Sequence, residues 1–96
     1  MLTGKQKRFL RSQAHHLNPI FQVGKGCVNE NMIKQISDAL EARELIKVSI
    51  LQSCEMDKDE VAKQLSTQTR AELVQIIGNI IVLYKESREK KTIQLP

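Results

Sequence analysis

Residues Glu72 to Lys85 read ELVQIIGNIIVLYK: two runs rich in β-branched residues, Glu72–Ile77 and Ile80–Lys85, separated only by Gly78 and Asn79. Two such runs joined by a glycine-containing pair are a hairpin signal, since a two-residue reversal needs backbone angles that glycine adopts without steric cost. Both runs are apolar on both faces, which places the hairpin centrally in a sheet with helices partly covering it.

Working outward, Leu45–Leu51 alternates Ile46, Val48 and Ile50 with Lys47 and Ser49, the period of a half-buried strand. Between this strand and the hairpin, Asp57 and Glu60 form a capping-box-like pair, and Met56 and Val61 occupy the positions of a hydrophobic staple. A helix is therefore expected over Lys58–Thr69, with a narrow apolar side of Val61, Ala62 and Leu65. Upstream, Asn29 is a candidate N-cap for a helix reaching about Arg43, its apolar positions being Met32, Ile33, Ile36, Ala39 and Leu40.

A short strand, Ile20–Val23, follows Asn18-Pro19, which ends a first helix spanning about Thr3–Leu17. On that helix Phe9, Leu10, Gln13, Ala14 and Leu17 share one side, while Arg8, Arg11 and His15 lie opposite with Lys5 flanking them. The order α-β-α-β-α-β-β describes an α/β (α+β) two-layer sandwich with a mixed sheet of about four strands. Ser87–Lys91 reads as a charged, solvated tail.

Ninety-six residues fit one domain, residues 1–96, and 41% hydrophobic against 27% charged residues is a globular composition. The most apolar stretch, Leu73–Tyr84, is broken by Gln75, Gly78 and Asn79 and is too short to span a membrane. Lys5, Lys7, Arg8 and Arg11 stand where a signal peptide would need its apolar run, so the cytoplasm is the expected compartment. Fifteen basic residues outnumber eleven acidic ones, and the excess is regional. Met1–Val28 holds Lys5, Lys7, Arg8, Arg11 and Lys25 with no carboxylate, a charge of +5, and the rest of the chain sums to −1.

No catalytic constellation stands out. The acidic residues fall at helix starts and exposed faces, and no Ser, His and acid share a nucleophile-and-base spacing. His15 and His16 are adjacent and diverge on a helix, so they do not clasp a metal as an i, i+4 pair would. Cys27 and Cys54, 27 residues apart without further ligands at metal spacing, read as free thiols. Gly24-Lys25-Gly26 resembles the opening of a dinucleotide fingerprint, but the third glycine would fall at Asn29. Neither an enzyme nor a cofactor, metal or small-molecule substrate is expected.

Glycines let the backbone approach a phosphate within hydrogen-bonding distance, and Lys25 adds charge, so the Gly24–Cys27 loop suits a clamp on nucleic-acid backbone; a simple flexible turn would also account for the loop alone. A carboxylate-free basic segment attracts phosphates, although a solvated surface would explain the charges as well. Only Phe9, Phe21 and Tyr84 are aromatic, and Phe9 is on the apolar side of its helix, which leaves little for base stacking and favours backbone and shape recognition.

Four separated segments carry a family resemblance: Leu2-Thr3-Gly4-Lys5-Gln6-Lys7-Arg8-Phe9-Leu10-Arg11, Val23-Gly24-Lys25, Glu41-Ala42-Arg43-Glu44-Leu45-Ile46-Lys47-Val48, and Gln75-Ile76-Ile77-Gly78 to Val82-Leu83-Tyr84. Together they resemble the YhbY family of bacterial single CRM-domain proteins (chloroplast RNA splicing and ribosome maturation). The resemblance implies a fold similar to the C-terminal domain of translation initiation factor 3, RNA binding, and association with precursors of the large ribosomal subunit. It puts the RNA-binding residues at Lys5, Lys7, Arg8 and Arg11 and at Gly24, Lys25, Gly26 and Cys27. Cys27 stands where the family usually has glycine, and Asn79 where it often has arginine. The expectation is a monomeric RNA-binding module acting in large-subunit assembly, with a protein-interaction adaptor and a DNA binder as alternatives.

Overall fold

The computed structural model describes residues 2–89 and 91–96. Along the chain come α1 (Gly4–Ala14), β1 (Phe21–Val23), α2 (Glu30–Arg43), β2 (Leu45–Ile50), α3 (Lys58–Thr69), β3 (Glu72–Ile77) and β4 (Ile80–Tyr84). The strands form one mixed sheet in the order β1-β2-β4-β3, with β1 parallel to β2 and β4 antiparallel to both its neighbours. The hairpin is present: Ile77 faces Ile80, and Gly78 takes the positive φ of 56°. Of its two strands only β4 is central, because β2 occupies the far side of β4 and leaves β3 at an edge.

Burial explains the layering. On β4, Ile81 and Leu83 face one way and join Ile46, Val48 and Ile50 of β2, Ile36 and Leu40 of α2, and Val61, Ala62 and Leu65 of α3. Val82 and Tyr84 face the other way, where Leu45 and Val74 meet Leu10 and Ala14 of α1. A strand apolar on both faces needs cover on both. The three helices and the mixed four-stranded sheet match expectation, but the helices are divided, with α2 and α3 behind one face and α1 over part of the other. The sandwich thereby gains a third, single-helix layer.

Local signals were obeyed unevenly. Asn29 caps α2 by accepting the Met32 N–H at 2.8 Å. Asp57 precedes α3 in extended backbone but makes no side-chain cap, so the expected capping box is absent there; Met56 and Val61 still pack into the same core. The capping box instead starts α1, where Thr3 Oγ1 accepts from Gln6 N (3.1 Å) and Gln6 Oε1 accepts from Thr3 N (3.0 Å). Helix α1 ends at Ala14 rather than Leu17; Gln13 and Leu17 are exposed and Phe9 is half-buried.

The C-terminal segment departs most from expectation. Lys90 lies outside the described residues, but Ser87 is only 1% exposed, and the backbone around it is held by two carboxylates of α2 and its C-cap. Glu41 Oε1 accepts from Ser87 Oγ and Arg88 N, both at 2.9 Å, and from Glu89 N at 3.2 Å. Glu44, fully buried, accepts from Ser87 N (2.8 Å) on one oxygen and from Thr92 N (2.6 Å), Ile93 N (2.9 Å) and Thr92 Oγ1 (3.2 Å) on the other. A charged segment with few apolar side chains looks solvated in sequence, yet its amides have found buried acceptors. Burial pushes the Glu44 carboxyl upward, but hydrogen bonds from Ser87, Ile93 and Thr92 outweigh it and hold the group below its ordinary value.

Leu83, at 0% exposure in the larger core, should cost about 2–5 kcal/mol when truncated to alanine, measured by urea unfolding, whereas the same truncation of exposed Gln13 should stay within about 0.5 kcal/mol. Because the folded Glu44 carboxyl is depressed, its stabilisation is complete above the unfolded value of about 4.3 and is lost as pH falls below it. Glu44→Gln, which presents an amide donor to surrounding donors, should cost about 2–4 kcal/mol at pH 7 and flatten the acid side of the stability profile, as urea midpoints between about pH 2 and 7 would show.

Candidate nucleic-acid interface

Helix α1 carries Lys5, Lys7, Arg8 and Arg11 and no carboxylate. Lys5, Arg8 and Arg11 are exposed, Lys7 is half-buried on a flank, and His15 caps the C-terminal end. Among the described residues none of these four cations pairs with a carboxylate. Helix α2 sets Glu30, Asp38 and Glu41 against Lys34 and Arg43, and α3 sets Asp59 and Glu60 against Lys58 and Lys63. Among the three helices the positive excess therefore falls on α1.

The two flanks of α1 differ. One is closed by the C-terminal segment, where Leu2 and Phe9 pack with Ile93 and Leu95, and Gln6 Nε2 donates to the Pro96 carbonyl at 3.3 Å. The other overlooks an open groove of about 390 Å³, walled by Arg11, Ser12 and His15 and floored by Lys47, Gln75, Ile77 and Val82. Strand register supplies the floor: Lys47 is opposite Val82, and Val82 opposite Gln75. Ile77, 54% exposed, gives it an apolar edge. No Phe or Tyr ring lines the groove, its one ring being the His15 imidazole; Phe21 packs against the opposite core and Tyr84 is buried.

The Gly24–Cys27 loop lies elsewhere, at the C-terminal end of β1. Cys27 N donates to Gly24 O at 2.9 Å, closing a tight turn with Lys25 exposed at its tip. A side chain at Gly24 would meet Ser53 Oγ at 3.2 Å and Leu51 Cδ1 at 3.4 Å, and Gly26 has φ 91°. Cys27 also takes a left-handed angle, φ 51°, so the turn keeps a glycine-like shape at the position where glycine was expected and rests on Gly26 as well. At the start of α2 the Asn29 side chain occupies the Met32 amide, and Glu30 adds negative charge, which leaves the loop itself as the better phosphate site.

The structure thus brings Lys5, Lys7, Arg8 and Arg11 together on one helix and Gly24, Lys25, Gly26 and Cys27 in one turn, as two patches. Between them run the α1-facing positions of β1 and β2, Gln22 opposite Ser49, with Ile20 N bonded to Lys47 O. Lys47 was read in the sequence as a strand position and not as a site residue; alternation marks it as pointing away from Ile46 and Val48, but nothing local says that α1 covers that face. Asn79 is committed elsewhere, its Nδ2 donating to Ile50 O (3.0 Å) and its carbonyl accepting from Ile50 N (2.7 Å). No group of three or more His, Cys, Asp or Glu among the described residues is placed to hold a metal ion.

The family model for the CRS1/YhbY (CRM) domain matches residues 2–85. The chain belongs to this family. The CRM match runs from the start of α1 through the end of β4, so it includes both basic patches. Among similar proteins, "Probable RNA-binding protein YqeI" of Bacillus subtilis is 74% identical over the whole of both chains. A Haemophilus influenzae "RNA-binding protein" is 42% identical over 99% of this chain and 95% of its own. The solution structure of SAV1595 from Staphylococcus aureus covers the whole of both chains at 66% identity with a TM-score of 0.83. The Bacillus protein aligns through residue 96, so the tail that Glu41 and Glu44 hold beyond the CRM match has a counterpart there.

Gly26→Ala forces a side chain into φ 91° and should destabilise the protein by about 1–2 kcal/mol in urea unfolding, although nothing lies within 4 Å of the new Cβ.

Proposed function

We propose that this CRM-domain protein binds structured RNA through its backbone, with Lys5, Lys7, Arg8 and Arg11 of α1 and the Gly24–Cys27 turn as the two contact patches. The observation that carries the reading is the carboxylate-free face of α1 bordering an open groove floored by Lys47. Phosphate oxygens suit unpaired guanidinium and ammonium groups, and an open groove without Phe, Tyr or Trp suits a duplex or a folded backbone better than splayed bases. The RNA-binding names of the Bacillus and Haemophilus relatives support the same reading. Within it, the target is precursor RNA of the large ribosomal subunit, bound in the cytoplasm by a monomer during assembly, and no catalysis is involved.

Four to five phosphate contacts should make log affinity fall with log salt at a slope of about −3 to −4.5. Changing Arg8, Arg11 and Lys25 together to alanine should weaken binding and shrink that slope by about 2 to 2.7, measured by fluorescence anisotropy on a structured ribosomal RNA fragment. A salt-independent affinity, an unchanged triple variant, or preference for a matched DNA duplex would overturn the reading.

A further inference from the structure

Strands β1 and β2 are parallel, and their register is constant: Phe21 faces Val48, Gln22 faces Ser49 and Val23 faces Ile50, each pair 27 residues apart. Cys27 and Cys54 are separated by the same 27 residues. Each strand runs into an equivalent turn. Cys27 N donates to Gly24 O (2.9 Å) after β1, and Cys54 N donates to Leu51 O (3.0 Å) after β2, with Leu51 N reaching back to Val23 O (2.8 Å) to tie the two together. Gly24 lacks a side chain where Ser53 crosses, which lets the turns lie against each other. Neighbouring strands are about 4.8 Å apart, so the two turns leave Val23 and Ile50 already within the Cα separation a disulfide accepts. Both cysteines are free, partly exposed, and packed on the same core, and the two thiols are near enough to shift each other's ionisation, while Cys54 Sγ donates to Met56 O at 3.8 Å.

We propose that Cys27 and Cys54 are a peroxide-responsive dithiol whose oxidation staples the Gly24–Cys27 loop to the Leu51–Cys54 turn. The Cys27 thiolate attacks a hydroperoxide oxygen, the O–O bond breaks, and Cys27 becomes a sulfenic acid while the hydroperoxide leaves as water or alcohol. Cys54 then attacks the Cys27 sulfur, its proton joins the departing hydroxyl, and the products are one disulfide and a second water. Two thiols are oxidised and one peroxide bond is reduced. A dithiol reductant reverses the step by exchange. The division of roles follows the surroundings: hydrogen bonds from the Cys54 thiol and the Met56 backbone lower the Cys27 thiol, and burial raises Cys54.

The consequence for RNA rests on the function proposed above. Cys27 closes the loop offered as a backbone clamp, and a staple there prevents the turn from adjusting around a phosphate. The test treats the full-length protein with stoichiometric hydrogen peroxide and reads intact mass, peptide mapping and RNA affinity in parallel. The expected result is a loss of about 2 Da, a peptide linking Cys27 to Cys54, and restoration by dithiothreitol. Separate gains of about 32 Da on unlinked cysteines, or linkage only between molecules, would overturn the pair. In Cys54→Ser the 2 Da loss should vanish and Cys27 should accumulate oxygen instead. RNA affinity of the oxidised wild type should fall about fivefold to tenfold, the loss of one or two contacts, and should return when dithiothreitol opens the disulfide. A disulfide that leaves RNA affinity unchanged would overturn its control of the loop. Absence of RNA binding by the reduced protein would sink the proposed function, and the mass result would still decide the dithiol.

Discussion

Glu44 is the residue at which four parts of the molecule meet. Its N–H closes α2 on Leu40 O at 2.7 Å, its carbonyl accepts from Lys85 N just past β4, β2 begins at the next residue, and its carboxylate gathers the tail. The arrangement is costly, since a charge is removed from water and a non-glycine residue takes φ 66°. Its oxygens accept from three amides and a hydroxyl, and these charge-assisted bonds supply the balance. An acceptor-only group fits a site made entirely of donors, which is why glutamate serves here and its amide would not.

From that residue the shape of the basic face follows. The tail, anchored at Thr92 and Ile93, continues along α1 and packs on the flank bearing Phe9, while the flank above Lys47 stays open. Glu41 and Glu44 turn their charge toward backbone amides of the tail. Two carboxylates that would otherwise dilute the surface potential are occupied away from the groove, and α1 keeps its unbalanced cations. The acidic half of the chain thus supports the basic half by position as well as by packing.

Much of this was legible in the residues because the signals are local. Strand alternation at Ile46, Val48 and Ile50, the Gly78-Asn79 turn and the apolar period of α2 each depend on neighbours a few positions away, and each element formed within a few residues of expectation. What escaped notice depends on distant partners. The face taken by α1, the edge position of β3 and the placement of Lys47 beside Arg11 are all decided by how strands far apart in sequence pair. The start of the tail was misread for the same reason: Ser87 looks solvent-bound until Glu44, more than forty residues earlier, is known to be buried. Asp57 shows the converse, a strong local signal for a side-chain cap that the surrounding loop did not use.

The loop between β1 and α2 combines these two kinds of information. Gly26 at φ 91° and Gly24 beneath Ser53 are what a tight turn against another turn requires, and both are visible as glycines in the sequence. Cys27 at φ 51° is not explained locally, because a side chain in the left-handed region is disfavoured and glycine would sit there more easily. Its compensation is lateral: the side chain packs on the central core beside Cys54 and Met56. A strained backbone held by contacts to the next loop cannot move alone. The turn that presents Lys25 is therefore mechanically part of the β2–α3 connection, and whatever grips or chemically links one of them acts on both.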